Sequence, residues 1–174
     1  MTQATDVHIN AATLADVPLI LELIRGLAIY EKLEDQVVVT EAILRESLFG
    51  AGAGAGAGTG GGAECLIARV QGQAAGFALF FHNFSTWLGR RGLYLEDLFV
   101  QPAFRGHGVG KALLTHLAGI AVARQCGRFE WQVLDWNQSA RDFYEKLGAQ
   151  PNPGWINYRI TGDALRRLAQ SDRH

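Results

Sequence analysis

Apolar residues recur along this chain in two rhythms, one of about 3.6 residues and one of two, and the switches between them outline its elements. Val7 to Ala11 reads as a short strand, and Thr13 followed by Asp16 has the spacing of a capping box at a helix start. Val17, Ile20, Leu21, Ile24 and Ala28 then keep helical spacing and carry that helix to about Tyr30. A second helix is expected from Thr40 to near Phe49. Three strands follow, Ala63 to Val70, Ala74 to Phe84 and Leu93 to Val100, with Gln71-Gly72-Gln73 as the turn between the first two, which predicts an antiparallel meander. Val109, Leu113, His116, Leu117 and Ile120 mark one face of a helix reaching about Cys126, and Phe129 to Leu134 returns as a strand. A strand, helix, strand unit makes those two strands parallel. A further helix runs from about Ser139 to Leu147 and stops at Gly148. Trp155 to Ile160 reads as a last strand and Thr161 to Ala169 as a short terminal helix. The pattern predicts a mixed α+β chain, one domain over residues 1–174, without repeats.

Composition narrows the picture. The 174 residues are 48% hydrophobic and carry a formal charge of -1, so the chain can bury a core and has no basic field to draw nucleic acid or anionic lipid. The first residues have neither a cationic start nor an apolar run, and no segment is apolar over the roughly 18 residues a span needs, so a cytoplasmic protein is expected. Cys65 and Cys126 show no metal or redox spacing and read as reduced, buried thiols. From Gly50 to Gly62 the chain is almost all Gly and Ala, expected as a flexible surface loop; the dinucleotide-like spacing at Gly56 to Gly61 leads into a strand rather than a helix and is compositional.

Two segments carry chemistry. Arg105-Gly106-His107-Gly108-Val109-Gly110 lies between a strand and a helix, where backbone N–H groups unshielded by Cβ atoms form an anion site. It is not a P-loop, lacking a glycine at Arg105 and a Ser or Thr at Ala112, nor a Rossmann turn, since Lys111 stands in the third glycine's place. Alone, it fits an anion at a helix start or an ordinary tight turn. The second segment runs from Asn137 to Ala149. Ala140, Phe143, Tyr144 and Leu147 fall on one helical stripe, where Tyr144 reads as an inward-facing side chain, functional or simply core.

Taken together and in this order, the two segments resemble the GCN5-related N-acetyltransferase (GNAT) superfamily. Arg105, Gly108 and Gly110 fill its coenzyme motif, and Asn137, Phe143-Tyr144 and Gly148-Ala149 fill the later one. Tyr30 to Gln36, Tyr94 to Val100 and Val133 to Gln138 are similar to the diamine (spermidine/spermine) acetyltransferase family. Its thialysine-acetylating branch is the nearer likeness at Leu134 to Gln138 and at Ser85-Thr86-Trp87.

The resemblance implies a central, mostly antiparallel sheet with a splayed parallel strand pair, flanked by helices, and acetyl-coenzyme A as co-substrate without a metal. It places the coenzyme along Leu98, Phe99 and Val100, with its pyrophosphate on the turn Arg105, Gly106, His107, Gly108, Val109, Gly110 and Lys111. Asn137, Ser139 and Phe143 are further coenzyme contacts. An aliphatic amine of pKa about 10.4 is almost wholly protonated at neutral pH, so a proton acceptor helps it attack a thioester. Glu96 takes that role by resemblance, through water, and Tyr144 is the acid for the leaving thiolate. Regular alternation puts Glu96 and Asp97 on opposite faces unless a bulge intervenes.

Glu31, Glu34 and Asp35 are candidates to attract a second cationic group of a diamine or lysine analogue, with Asp97, Trp87 and Trp136 completing the amine site. Ser85, where the polyamine branch is expected to carry another acid, argues against long polyamines. The expected assembly is a homodimer. Two rival readings stay open: an N-acetyltransferase acting on peptides or proteins, and a catalytically silent coenzyme-A-binding module.

Overall fold

A computed structural model of the chain describes residues 6–50 and 62–171; the Gly-Ala segment expected to be a loop falls, from 51 to 61, outside them. The chain divides into two compact units, Met1–Gln132 and Val133–His174.

The first unit is built on a five-stranded sheet in simple sequential order. β1 (Val7–Ala11), β2 (Glu64–Val70), β3 (Gln73–Ser85) and β4 (Arg90–Val100) pair antiparallel, and β5 (Phe129–Trp131) lies parallel to β4. Gln71 and Gly72 join β2 to β3 with φ of 51° and 78°. Two consecutive positive φ angles suit the right-handed twist of the flanking strands. The β3–β4 hairpin reaches three residues further back than the apolar rhythm shows, to Arg90 opposite Ser85, because ladder pairing carries the polar Arg90 and Arg91.

Three helices cover the sheet. α1 (Val17–Glu31) and α2 (Glu41–Phe49) pack on one face around Ile20, Leu23, Leu44, Ile67, Phe77 and Phe99. α3 (Val109–Ala123) buries Val109, Leu113, Leu114, Leu117 and Ala121. The expected box at Thr13 is present, preceding a short 3-10 turn: the Asp16 carboxylate accepts from the Thr13 N–H and hydroxyl, each at 2.8 Å, and pairs with Arg69 at 2.8 Å. These donors hold the Asp16 carboxyl below its usual range. Arg124, just past α3, forms a bidentate pair with Glu64 and so ties the helix end to β2.

The second unit contains α4 (Gln138–Lys146) and α5 (Gly162–Gln170). Two expectations need correcting. β5 ends at Trp131 rather than Leu134, and no strand forms over Trp155 to Ile160. A strand requires a ladder partner, and none of the five strands pairs with that segment, whose residues are exposed.

Candidate functional site

The first part of the site is made of backbone. β4 and β5 pair only over Leu93 to Leu95 opposite Phe129 to Trp131, so among the described residues β4 from Glu96 to Val100 has no strand on that side. Its other edge stays paired with β3, where the Gln101 N–H donates to the Ala75 carbonyl at 2.9 Å. Alternate residues of an antiparallel strand address opposite neighbours, so Leu98 and Val100 turn their N–H and C=O groups to the unpaired edge. Phe99 does the reverse: its backbone faces β3 and its side chain is buried against α1.

A short 3-10 turn, Pro102–Phe104, joins this edge to the glycine turn. Gly106 and Gly108 have φ of 76° and 81°, a region L side chains rarely adopt, and a Cβ built on either meets no atom within 4 Å, so the space over the turn is open. Gly108 caps α3, whose first backbone bond is Ala112 N–H to Gly108 C=O at 2.9 Å. The N–H groups of Val109, Gly110 and Lys111 therefore stand outside the helical ladder, at the positive end of a 15-residue helix. His107 Nδ1 lies 2.7 Å from the Arg105 carbonyl, within the turn itself. The outward N–H groups of Leu98 and Val100 and the free helix-start N–H groups are thus two donor sets, separated by Gln101 to Arg105, and Lys111 is exposed beside the second.

The second part is made of carboxylates. Leu95 pairs with Phe80, whereas Asp97 pairs with Leu79, so Glu96 is the extra residue of a β-bulge. Alternation from Leu95 places Glu96 on the face toward α1, and the bulge puts Asp97 on that face too. The bulge that sequence alternation left open as an exception is thus present, and the two acids share a face. Glu31, the last residue of α1, joins them closely enough to act on Asp97 electrostatically. Burial pushes the Asp97 carboxyl up to about 6, with repulsion from Glu96 and Glu31 adding to it, and burial also raises Glu31. Glu34 and Asp35 follow on a short 3-10 turn and are exposed.

Other expected residues lie elsewhere. Trp87 is at the tip of the β3–β4 hairpin, 87% exposed, with Arg90 to Leu95 of the strand, roughly 20 Å of extended chain, between it and Glu96. In the second unit, Trp136 is 52% exposed, and Asn137 caps α4 by accepting from the Ala140 N–H at 3.2 Å. Ser139 lies exposed in the first turn of α4. Phe143 and Tyr144 are half-buried neighbours with ring centroids 5.5 Å apart, whereas Leu147, expected on the buried stripe, is exposed. The helix closes with Ala149 N–H to Tyr144 C=O at 3.1 Å and Gly148 N–H to Glu145 C=O at 2.9 Å, Gly148 taking φ of 92°. This paired closure holds the backbone of Tyr144 at a defined helix end.

Neither thiol is activated. Burial pushes Cys65 up to about 12, with Asp16 and Asp97 adding to it, and burial raises Cys126 despite nearby Arg91 and Arg124. Among the described residues no group of His, Cys, Asp and Glu is arranged to hold a metal ion, and no helix is long and apolar enough to cross a membrane. Sequence spacing missed two features: the bulge at Glu96, and Tyr30, whose ring lies 4.6 Å from the guanidinium carbon of Arg105. Nothing in the local pattern signals either, since each depends on residues distant in the chain.

An open strand edge beside a helix-start turn, on a mixed sheet with one parallel pair, is the arrangement that the resemblance to the GNAT superfamily implies. Residues 29–149 match the acetyltransferase (GNAT) family, and the chain belongs to it and is an acetyltransferase. It is 38% identical to a thialysine N-epsilon-acetyltransferase of Sus scrofa over 94% of this chain and 97% of that one. Over 54% of this chain and 41% of the other it is 48% identical to an L-ornithine N5-acetyltransferase of Arabidopsis thaliana. Among solved structures it is similar to an integron cassette protein from the mobile metagenome of V. cholerae, with a TM-score of 0.74 and 28% identity over 95% and 98% of the two chains.

Proposed function

We propose that this acetyltransferase moves acetyl from acetyl-coenzyme A to a primary amine of a small molecule, by direct attack while both substrates are bound. The observation that carries the reading is the bulge at Glu96, which gathers Glu96, Asp97 and Glu31 beside the open edge of Leu98 and Val100. The acceptors named for the similar proteins, thialysine and L-ornithine, both carry a terminal primary amine.

On the donor side, the N–H groups at Gly106 to Lys111 and the helix dipole hold the pyrophosphate, and the outward groups of Leu98 and the Val100 N–H pair with the pantetheine amides. Asn137, Ser139 and Phe143 take coenzyme contacts by the family motif. An N–H of this edge polarises the thioester carbonyl and stabilises the oxyanion that forms as the amine attacks. On the acceptor side, Glu31, Glu96 and Asp97 draw the ammonium form in. The carboxylate pair at the bulge then accepts its proton, with Glu96 open to water and Asp97 raised by burial to about 6. As the C–S bond breaks, the thiolate takes a proton from Tyr144, whose role rests on the family motif, and the second proton leaving the acetylated nitrogen restores the phenol through solvent. Glu34 and Asp35 attract a second positive group on the acceptor. A homodimer is expected by resemblance, and sedimentation of the purified chain tests it.

Acetyl-coenzyme A turnover against diamines, thialysine, L-ornithine and lysine-containing peptides tests the reading. Acetylation of the small amines is expected; acetylation of peptides alone would overturn it.

A further inference from the structure

Arg105 opens the glycine turn, and the motif alone gives no account of what its side chain does. Its Nε donates to the Val100 carbonyl at 3.0 Å, so the last outward acceptor of the open β4 edge is occupied by the turn's own arginine. Its guanidinium carbon lies 4.6 Å from the centroid of the Tyr30 ring and 5.7 Å from that of Phe99. One hydrogen bond and two aromatic faces fix the plane of a side chain that is otherwise exposed and has many rotamers.

Tyr30 is itself held firmly. It lies on the last turn of α1, and α1 is seated on β4 at Gly26, where a Cβ would come within 2.9 Å of Phe99 Cε1. The helix therefore approaches Phe99 as closely as a glycine allows, and Tyr30 is carried to Arg105 by that packing. The next residue, Glu31, belongs to the carboxylate group beside Asp97. One helix end thus presents an aromatic face to the anion-binding turn and a carboxylate to the amine side.

We infer that Tyr30 is a positioning residue for the acyl donor: it holds Arg105 in place before the coenzyme arrives, so that the pyrophosphate meets an ordered cation. This rests on the acetyl-coenzyme A reading above and deepens it. Without the ring, Arg105 is ordered only on binding, and the cost appears in donor affinity rather than in the chemical step.

The test measures dissociation constants for coenzyme A by calorimetry, together with KM for acetyl-coenzyme A and kcat, on the full chain. Tyr30→Leu is expected to weaken coenzyme A and raise the donor KM about three- to five-fold, as for loss of one exposed cation–π contact, with kcat changed less than two-fold. Tyr30→Phe, which keeps the ring, restores both to within two-fold. Arg105→Lys, which keeps the charge but loses the planar fork and the Nε donor, reproduces the Tyr30→Leu defect should that variant fold poorly. In an Arg105→Gln background, Tyr30→Leu adds no further loss. Unchanged coenzyme A binding in Tyr30→Leu, or losses that multiply in the double variant, would overturn the inference alone. No binding of coenzyme A by the wild-type chain would overturn the function reading and this inference with it.

Discussion

The turn at Arg105 to Gly110 and the carboxylate group at Glu31, Glu96 and Asp97 lie on the same fold yet are built on opposite principles. The turn relies chiefly on main-chain N–H groups, so beyond Arg105 it requires little more of the sequence than glycine where φ is positive and a helix that starts on time. The carboxylate group uses side chains from α1 and β4, brought to one face by a single inserted residue. A site made of backbone leaves a local motif. A site made of side chains across elements leaves almost none, and its chemistry depends on burial that no spacing reveals.

Predictions that test this contrast run from large to small. Tyr144→Phe, which removes the proposed acid, is expected to lower kcat by about 10²-fold or more while leaving coenzyme A binding intact, because the phenol acts on the thiolate and not on the bound donor. Stopped or steady-state kinetics beside calorimetry check it, and equal losses in both would make Tyr144 a binding residue.

Asp97→Asn sharpens the carboxylate half. A carboxyl at about 6 accepts a proton only when ionised, so activity should rise with pH through about 6, and Asp97→Asn should remove that limb. Glu96→Gln takes away a repelling charge and should move the limb to lower pH. A limb erased by Glu96→Gln and kept in Asp97→Asn would assign the proton to Glu96 alone. Stability gives an independent reading. A carboxyl raised by folding is a penalty that is absent below about pH 4 and complete above about pH 6. A shift from 3.8 to about 6 corresponds to about 3 kcal/mol. Asp97→Asn should therefore raise Tm at pH 8, and the two proteins should converge at pH 4.

Gly108→Ala tests the backbone half. Its φ of 81° strains any L side chain by about 1–2 kcal/mol, so Tm should fall and coenzyme A binding weaken together. The smallest effect belongs to a control outside both regions. Asp16→Asn loses a carboxylate that accepts from Thr13 and pairs with Arg69, which is expected to cost about 1 kcal/mol. Because folding lowers this carboxyl, its contribution is present above about pH 4 and fades as pH falls below that. Activity per folded molecule should be unaffected.

The same contrast explains how far the sequence could be read. The strand and helix rhythm located β1 to β4 and α1 to α4 closely; α1, α3, β2, β3 and β4 each bury a regular stripe or face, whereas α4 keeps its helical spacing with no residue buried. It failed at Trp155 to Ile160, where apolar residues alternate as in a strand but no ladder partner exists among the five strands. Gly106 and Gly108 were legible because positive φ and an open helix start demand glycine. Glu96 and Asp97 were legible as acids, but regular alternation assigned them to opposite faces, and only the shift of register against Leu79 and Phe80 joins them. Tyr30 ended a helix in the sequence and became a partner of Arg105 only through the close seat of Gly26 on Phe99.

The most direct test of the account is mass-spectrometric detection of products when the purified chain is given acetyl-coenzyme A with thialysine, L-ornithine, short diamines and lysine peptides in parallel. The account predicts an added acetyl group on the small amines, with free coenzyme A released in equal amount. Acetyl groups found only on peptides, or coenzyme A bound with no acetylated product from any amine, would contradict it.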